Sequence, residues 1–173
     1  VAAAQFFCLP GVLDFRLGGF NLTDVLGREK ATIIRVYNVL RQYEEQAVAD
    51  ALESMGQALA VRGILIEGPS TPSGNIVVFD IYEKTMDGTL AHRELVFGTN
   101  FRQLISPVHF QAILPKRLIH HMQDERPASF FSAWQQSLRL AKSMGQIGQR
   151  QQWRLGAYLL RERFGYPIDI RRR

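Results

Sequence analysis

The sequence predicts an α/β fold in which helices pack on an open, mainly parallel sheet. Residues 31–70 spell strand, helix and strand with short connections, the pattern of a right-handed parallel crossover. Two alternating runs flank Asp87-Gly88, a dipeptide typical of β-hairpin turns. Helical periodicity dominates from Ser106 onward. These observations together predict a mainly parallel sheet with one antiparallel hairpin, followed by C-terminal helices.

The length and composition favour one domain. The chain has 173 residues, 46% of them hydrophobic, which suits a single globular domain over residues 1–173. No apolar stretch reaches the roughly 18 residues of a membrane span, and residues 1–20 lack the features of a signal peptide. A single cysteine, Cys8, fits a reducing compartment. We therefore expect a cytoplasmic protein with no membrane partner.

Charge is distributed unevenly along the chain. Residues 1–100 carry 8 Lys and Arg against 12 Asp and Glu, whereas residues 101–173 carry 13 against 4. The second part is therefore +9, a charge that can favour nucleic acid or another anionic partner, although most of it is dispersed on predicted helices. Nucleic acid stays open as a partner.

The first half of the chain alternates between predicted strands and a helix. A short strand is predicted from Val12 to Leu17, because two glycines follow it and let the chain turn sharply. The β-branched run over residues 31–40 predicts a second strand, apolar on both faces and covered by helices on both sides. Residues 44–62 have apolar side chains on one face and predict a helix. A third strand is predicted over residues 63–70.

The second half contains the hairpin and the helices. The hairpin strands are predicted over residues 75–84 and 90–101. An amphipathic helical stretch follows, and Pro115 divides it because proline ends or kinks a helix. Two further helices and a short final strand are predicted over residues 129–144, 151–165 and 168–170.

A search for catalytic and metal-binding motifs finds none. The sequence has no G-x-x-x-x-G-K-[ST], G-x-G-x-x-G, H-E-x-x-H or G-x-S-x-G pattern. The four histidines lack a metal-ligand spacing, so no metal site is predicted. Glu67 ends an apolar strand at the edge where open α/β sheets bind ligands, although a carboxylate satisfied by a helix start is the alternative. Arg35, in a strand predicted to be buried, needs a partner, and Glu67 is one.

Three stretches carry a family resemblance: "FRLGGFNL" (15–22), "ATIIRVYNVL" (31–40) and "LIEGPSTPSGNIVVFDIYEK" (65–84). Together they resemble class I S-adenosylmethionine-dependent methyltransferases, over residues 11–70 well and over the rest loosely. The resemblance implies a Rossmann-like sheet, S-adenosylmethionine as cofactor and an unidentified methyl acceptor. These motifs recur in other doubly wound sheets, and a fold does not fix a function.

The resemblance implies site residues at two strand ends. The turn after residue 17 corresponds to the family's third-strand turn, where Gly19 stands in place of an acidic residue that contacts adenine. The end of the strand over residues 31–38 corresponds to the region facing the methionine part of the cofactor and the substrate. The implied cofactor-binding residues are Gly19, Phe20, Arg35, Val36 and Asn38, and the implied substrate residues are Tyr37 and Glu67.

The family's glycine-rich cofactor loop and its first two strands have no counterpart in this sequence. In the family they carry most of the cofactor binding and lie between the third and fourth strands. Three explanations stay open: the chain is a fragment of a longer protein, its third strand pairs directly with its fourth, or partner chains of an oligomer supply the missing edges. Cofactor binding is therefore expected if the missing half is supplied.

Two functions from different classes follow. Methyl transfer needs mainly positioning and exclusion of water, so it is compatible with a sequence that lacks catalytic motifs; the helical region over residues 106–166 would then cover the substrate. The alternative is a non-catalytic binding or scaffold module that keeps the fold. Its basic second half and Arg171 to Arg173 would contact nucleic acid.

Overall fold

The computed structural model describes residues 2–122 and 124–169, which fall into two compact units. The first unit is built from the residues up to 67 together with residues 80–95. The second is built from residues 68–79 together with the residues from 96 onward. A single domain over residues 1–173 stays a prediction.

A four-stranded sheet runs through the structure in the order β1-β2-β3-β4. Its strands are β1 (Ala31–Tyr37), β2 (Leu59–Gly68), β3 (Ile76–Lys84) and β4 (Leu90–Thr99). β1 and β2 form the one parallel pair, and the other pairs are antiparallel. The prediction of a mainly parallel sheet is therefore wrong. The chain between β2 and β3 spans only residues 69–75, and a parallel crossover needs a dozen residues or more.

The first unit contains the crossover that joins the parallel pair. Helix α1 (Ala2–Gln5) and helix α2 (Thr23–Leu26) precede β1, a 3-10 helix (Leu40–Gln42) follows it, and helix α3 (Glu45–Ala58) leads directly into β2. The predicted helix over residues 44–62 is thus confirmed in place but ends earlier, because Leu59 already belongs to the strand.

The predicted strand from Val12 to Leu17 is wrong. Apart from an isolated bridge between Leu9 and Leu13, the described backbone there is irregular. Val12 and Leu17 are each 82% exposed, so the segment has no apolar face to bury and gains little from joining a sheet. This observation also removes one of the three explanations, the direct pairing of this segment with β1.

The core of the first unit is mainly aliphatic, with Tyr82 as the one aromatic residue among its described buried residues, and it lies on one face of the sheet. On β1, Ile34 is buried, whereas Ile33 is 63% exposed and Arg35 is exposed. The prediction that β1 is covered on both faces is therefore wrong among the described residues. The buried residues of this core are Ile34, Leu40, Val48, Ala51, Met55, Ala58, Leu59, Leu65 and Tyr82.

The second unit contains helices α4 (Val108–Gln111), α5 (Lys116–Ile119), α6 (Glu125–Ser143) and α7 (Gln149–Phe164). The division at Pro115 is confirmed, because Pro115 lies at the N-cap of α5. Helix α6 begins before the predicted Ser129. Pro127 lies in its first turn, where proline is tolerated because the N–H has no intrahelical partner.

Ile168 and Asp169 lie outside any strand, so the predicted final strand is wrong for them, and Ile170 lies outside the described residues. The described helices include none that is long and apolar enough to span a membrane.

Candidate functional site

The carboxyl ends of β1 and β2 form the edge at which the sequence predicts a ligand. Because the two strands are parallel, their carboxyl ends lie at the same edge of the sheet. Tyr37 is the last residue of β1, Asn38 follows it, and Glu67 is the penultimate residue of β2. The crossover therefore brings Tyr37, Asn38 and Glu67 to one edge, where open α/β sheets bind their ligands.

Asn38 has an uncommon backbone conformation. Its φ angle is 61°, in the left-handed region that non-glycine residues seldom enter, although asparagine enters it more easily than most. A residue held there costs about 1 kcal/mol or more, and such residues cluster at functional sites. The conformation lets the chain leave β1 sharply before the 3-10 helix begins at Leu40.

Arg35 contacts Tyr37 rather than Glu67. Its guanidinium lies 4.0 Å from the centroid of the Tyr37 ring, within the range of a cation–π interaction. Arg35 is exposed, whereas Glu67 is only 4% exposed. The predicted ion pair between a buried Arg35 and Glu67 is therefore wrong, because alternate residues of β1 face opposite sides and Ile34 takes the buried side. Val36, also on that side, packs against the core.

The turn that contains Gly19 and Phe20 packs beside the segment following β1. The Phe20 ring lies 5.4 Å from the Tyr43 ring in an edge-on contact, and Phe20 packs against the buried core. A Cβ atom on Gly19 would meet no atom within 4 Å, whereas one on Gly18 would lie 2.6 Å from a Val25 methyl group. Phe20 thus supports the segment that leaves β1, and a cofactor contact by Gly19 or Phe20 stays a prediction.

Asp80 and His92 form a pair that the sequence pattern does not predict. Asp80 is fully buried and lies directly opposite Glu67 in the β2–β3 register, so their Cβ atoms are about 5 Å apart. His92 Nε2 lies 2.8 Å from Asp80 Oδ1, and the histidine side chain is 39% exposed. A carboxylate in this place fixes the orientation and tautomer of an imidazole.

The pair was detectable in part from the sequence. The even-numbered residues of β3 are buried, and an aspartate on that otherwise buried stripe requires a partner.

Neighbouring strands lie about 4.8 Å apart, so His92 on β4 is about 14 Å across the sheet from β1. The pair therefore lies apart from Tyr37 and Asn38, while Glu67 stands between them.

A cleft in the first unit lies at the opposite end of the sheet. It has a volume of about 560 Å³ and lies between α3 and the β3–β4 turn, with Leu52, Gly56, Tyr82 and Leu90 among its lining residues. Because β3 ends where β2 begins, this cleft is at the amino end of β2. It is therefore separate from the edge that contains Asn38.

Comparisons with known proteins give no match, so a function is argued from the arrangement of the residues. No family model matches the chain, and no curated protein or solved structure matches it either. Within the described ranges, no group of three or more His, Cys, Asp and Glu side chains is arranged to hold a metal ion.

Proposed function

We propose that the edge formed by Tyr37, Asn38 and Glu67 belongs to an S-adenosylmethionine-dependent methyltransferase site, within a longer protein. The observation that supports this function best is the β1–α3–β2 crossover, which brings these residues to one edge of a parallel pair. The strained backbone of Asn38 at that edge is the second support.

The residues at the edge suit the methionine end of the cofactor. The cofactor supplies an electrophilic methyl group on a positively charged sulfur. An aromatic face attracts a cation, as the 4.0 Å contact between the Arg35 guanidinium and the Tyr37 ring illustrates, and the sulfonium would meet the other face of that ring. The amide of Asn38 can donate to a carboxylate, and the buried Glu67 can accept from an amine. The adenosine end would be held by residues other than these.

The role of the protein in such a reaction is positioning. Asn38 and Glu67 would orient the methionine end, while Tyr37 would face the acceptor, so that the acceptor's nucleophilic atom would be held in line with the carbon–sulfur bond. Correct placement of two reactants alone can provide a large part of the rate. This explains why the proposed site requires no metal or covalent nucleophile.

The test is an NMR titration of the isotope-labelled chain with S-adenosylhomocysteine, methionine and adenosine in parallel. We expect saturable shifts of the amides over residues 37–43 and at Glu67 with the first two compounds, because both contain the α-amino and α-carboxylate groups of the cofactor's amino-acid end. Adenosine should leave those amides unchanged. Weak binding, with a Kd of about 1 mM, is sufficient because titration detects it.

The matched variant is Asn38→Gly. Glycine adopts a φ of 61° without strain, so the fold is retained while the amide side chain is lost. We expect the NMR spectrum of this variant to be that of a folded protein, and we expect the ligand-induced amide shifts to be absent. Absence of shifts in the native chain, or equal shifts in the variant, would count against the proposed site and favour the non-catalytic binding module.

A further inference from the structure

Helix α7 presents a row of arginines on one side. Arg150, Arg154, Tyr158 and Arg161 follow one another at intervals of four, four and three residues, so they lie within a sector of about 80° over about 16 Å of helix. Arg150 and Arg154 are exposed, and Tyr158 is 45% exposed. We call these four residues the arginine stripe.

Aromatic rings stand beside both ends of the arginine stripe. The Arg150 guanidinium lies 5.8 Å from the centroid of the Phe101 ring, and the Arg161 guanidinium lies 5.8 Å from that of Tyr158. Both distances are within the range of cation–π contacts. Phe101 has a φ of 56°, a strained conformation for a bulky residue, and its ring packs on Trp153 at 5.6 Å. The ring beside Arg150 is therefore held in place.

Little negative charge compensates this surface. Residues 126–161 contain six Lys and Arg and no Asp or Glu. Arg161 pairs with Glu162 at 2.7 Å. Arg150 and Arg154 make no ion pair within the part of the chain that the structure describes. The guanidinium groups of Arg150 and Arg154 therefore give a positive potential that attracts a polyanion.

We propose that the arginine stripe binds single-stranded nucleic acid. The guanidinium groups of Arg150 and Arg154 would contact phosphates, and the exposed Tyr158 ring would stack on a base. The combination of a basic row with aromatic platforms is the arrangement by which proteins bind single strands without reading their sequence. An anionic membrane surface also attracts a basic helix face, and the exposed Ile147 and Leu104 lie three residues from Arg150 and Phe101 in the chain. Binding to anionic vesicles that is tighter than binding to the oligonucleotide would therefore overturn the proposal.

The arginine stripe and the proposed methyltransferase site belong to different units. The stripe and Phe101 lie wholly in the second unit, whereas Tyr37, Asn38 and Glu67 lie in the first. The three arginines at the end of the chain, Arg171 to Arg173, lie outside the described residues.

The experiment is a fluorescence-anisotropy titration of the full chain with a labelled single-stranded oligothymidylate at several salt concentrations. We expect saturable binding that weakens as salt is raised. Each phosphate contact on a single strand contributes about 0.7 to the slope of log K against log salt. The double variant Arg150→Gln with Arg154→Gln should therefore reduce the magnitude of that slope by about 1.4.

The matched control removes the same charge elsewhere. Arg28 lies in the first unit and Arg139 lies on α6, and both are exposed. Arg28→Gln with Arg139→Gln should leave the slope close to that of the native chain. If the two double variants behave alike, binding is a response to net charge alone and the arginine stripe is overturned as the site.

A second pair of variants tests stacking. Tyr158→Leu should weaken single-strand binding about 10-fold without changing the salt slope, whereas Tyr158→Phe should retain it. Both substitutions are at an exposed position, so the fold is not at risk. Equal affinity for a duplex of the same length or for inorganic polyphosphate, or no binding at low salt, would overturn the proposal.

Discussion

The two units differ in the side chains of their cores and in their charge. The first unit has an aliphatic core between the sheet and α3, and it contains 8 Lys and Arg against 12 Asp and Glu. The second unit has an aromatic core, and it contains 13 Lys and Arg against 4 Asp and Glu. The contacting rings of the aromatic core are Phe97, Phe110, Phe130, Phe131, Trp134 and Trp153.

This difference separates two kinds of chemistry. Buried carboxyl groups occur in the first unit, where Glu67 on β2 and Asp80 on β3 lie directly opposite each other on neighbouring strands. The second unit instead exposes guanidinium groups on α7 beside aromatic rings. A site that orients a small ligand and a surface that attracts a polyanion require opposite electrostatics. Because the small-ligand site and the basic surface belong to different units, a substitution can change one without changing the other.

The largest effect is expected for Trp134→Ala in the second unit. Trp134 is 5% exposed, and its ring contacts five others, including Phe97 at 5.0 Å and Trp153 at 5.1 Å. Removing a buried tryptophan leaves a large cavity, so the free energy of unfolding should fall by about 4 kcal/mol. Denaturant unfolding followed by fluorescence measures the loss.

The control for this variant is Trp134→Phe, which keeps a ring in the aromatic core and should lose clearly less stability. Hydrogen exchange in the folded state should show the added opening mainly in α6 and α7, the helices of the second unit. A loss of less than about 1 kcal/mol in the alanine variant would mean that the aromatic core is not what stabilises that unit.

A somewhat smaller effect is expected for Leu65→Ala in the first unit. Leu65 is fully buried in the aliphatic core, and deletion of a buried leucine side chain costs about 3 kcal/mol. The measurement is again the free energy of unfolding, compared with Leu65→Met as the volume-conserving control. If the first unit is the less stable of the two, protection against exchange should fall in α3 and β2 before it falls in α7.

The parts of the fold that depend on neighbouring residues are predictable from this sequence. The turn at Asp87-Gly88, the helix following Glu44 and the division at Pro115 all follow from local chemistry, and all are present. The orientation of β3 relative to β2 follows from the short connection over residues 69–75, whereas the absence of a strand from Val12 to Leu17 depends on pairing with distant residues. Periodicity alone contains no information on which strand pairs with which.

The candidate site divides in the same way. The crossover is local, so the edge with Asn38 and Glu67 was predictable from residues 31–70. Asp80 and His92 meet only because of the hairpin register, which sets His92 within 2.8 Å of the Asp80 carboxylate. The predicted burial of Arg35 was wrong because burial depends on what packs against a face of the sheet, and the face of β1 that carries Ile33 and Arg35 is exposed.

The stability that the hairpin turn contributes should depend on pH. The Thr85 hydroxyl and then the Thr89 backbone N–H donate hydrogen bonds to the Asp87 carboxylate, and they lower the pKa of Asp87 below its usual 3.8. The charged form is therefore favoured in the folded state. Its contribution to stability is present above pH 3.8 and is lost as the pH falls through the lowered pKa.

Asp87→Asn isolates this contribution, because Asn-Gly also forms tight hairpin turns and cannot titrate. We expect the free energy of unfolding of the native chain to fall more steeply with acid than that of the variant. The two curves should converge below the folded-state pKa. Parallel curves across that range would show that the hydrogen bonds to Asp87 do not stabilise the turn.

The smallest effect is expected for Arg35→Met. An exposed arginine that stacks on Tyr37 contributes about 0.5 kcal/mol, and methionine retains much of the contact with the ring. The free energy of unfolding should therefore change by less than about 1 kcal/mol. A loss of several kcal/mol would mean instead that Arg35 neutralises a buried carboxylate, because an unpaired buried charge is costly. This variant thus decides whether β1 presents an open face to solvent, as its exposed Ile33 indicates, or a face that a buried ion pair stabilises.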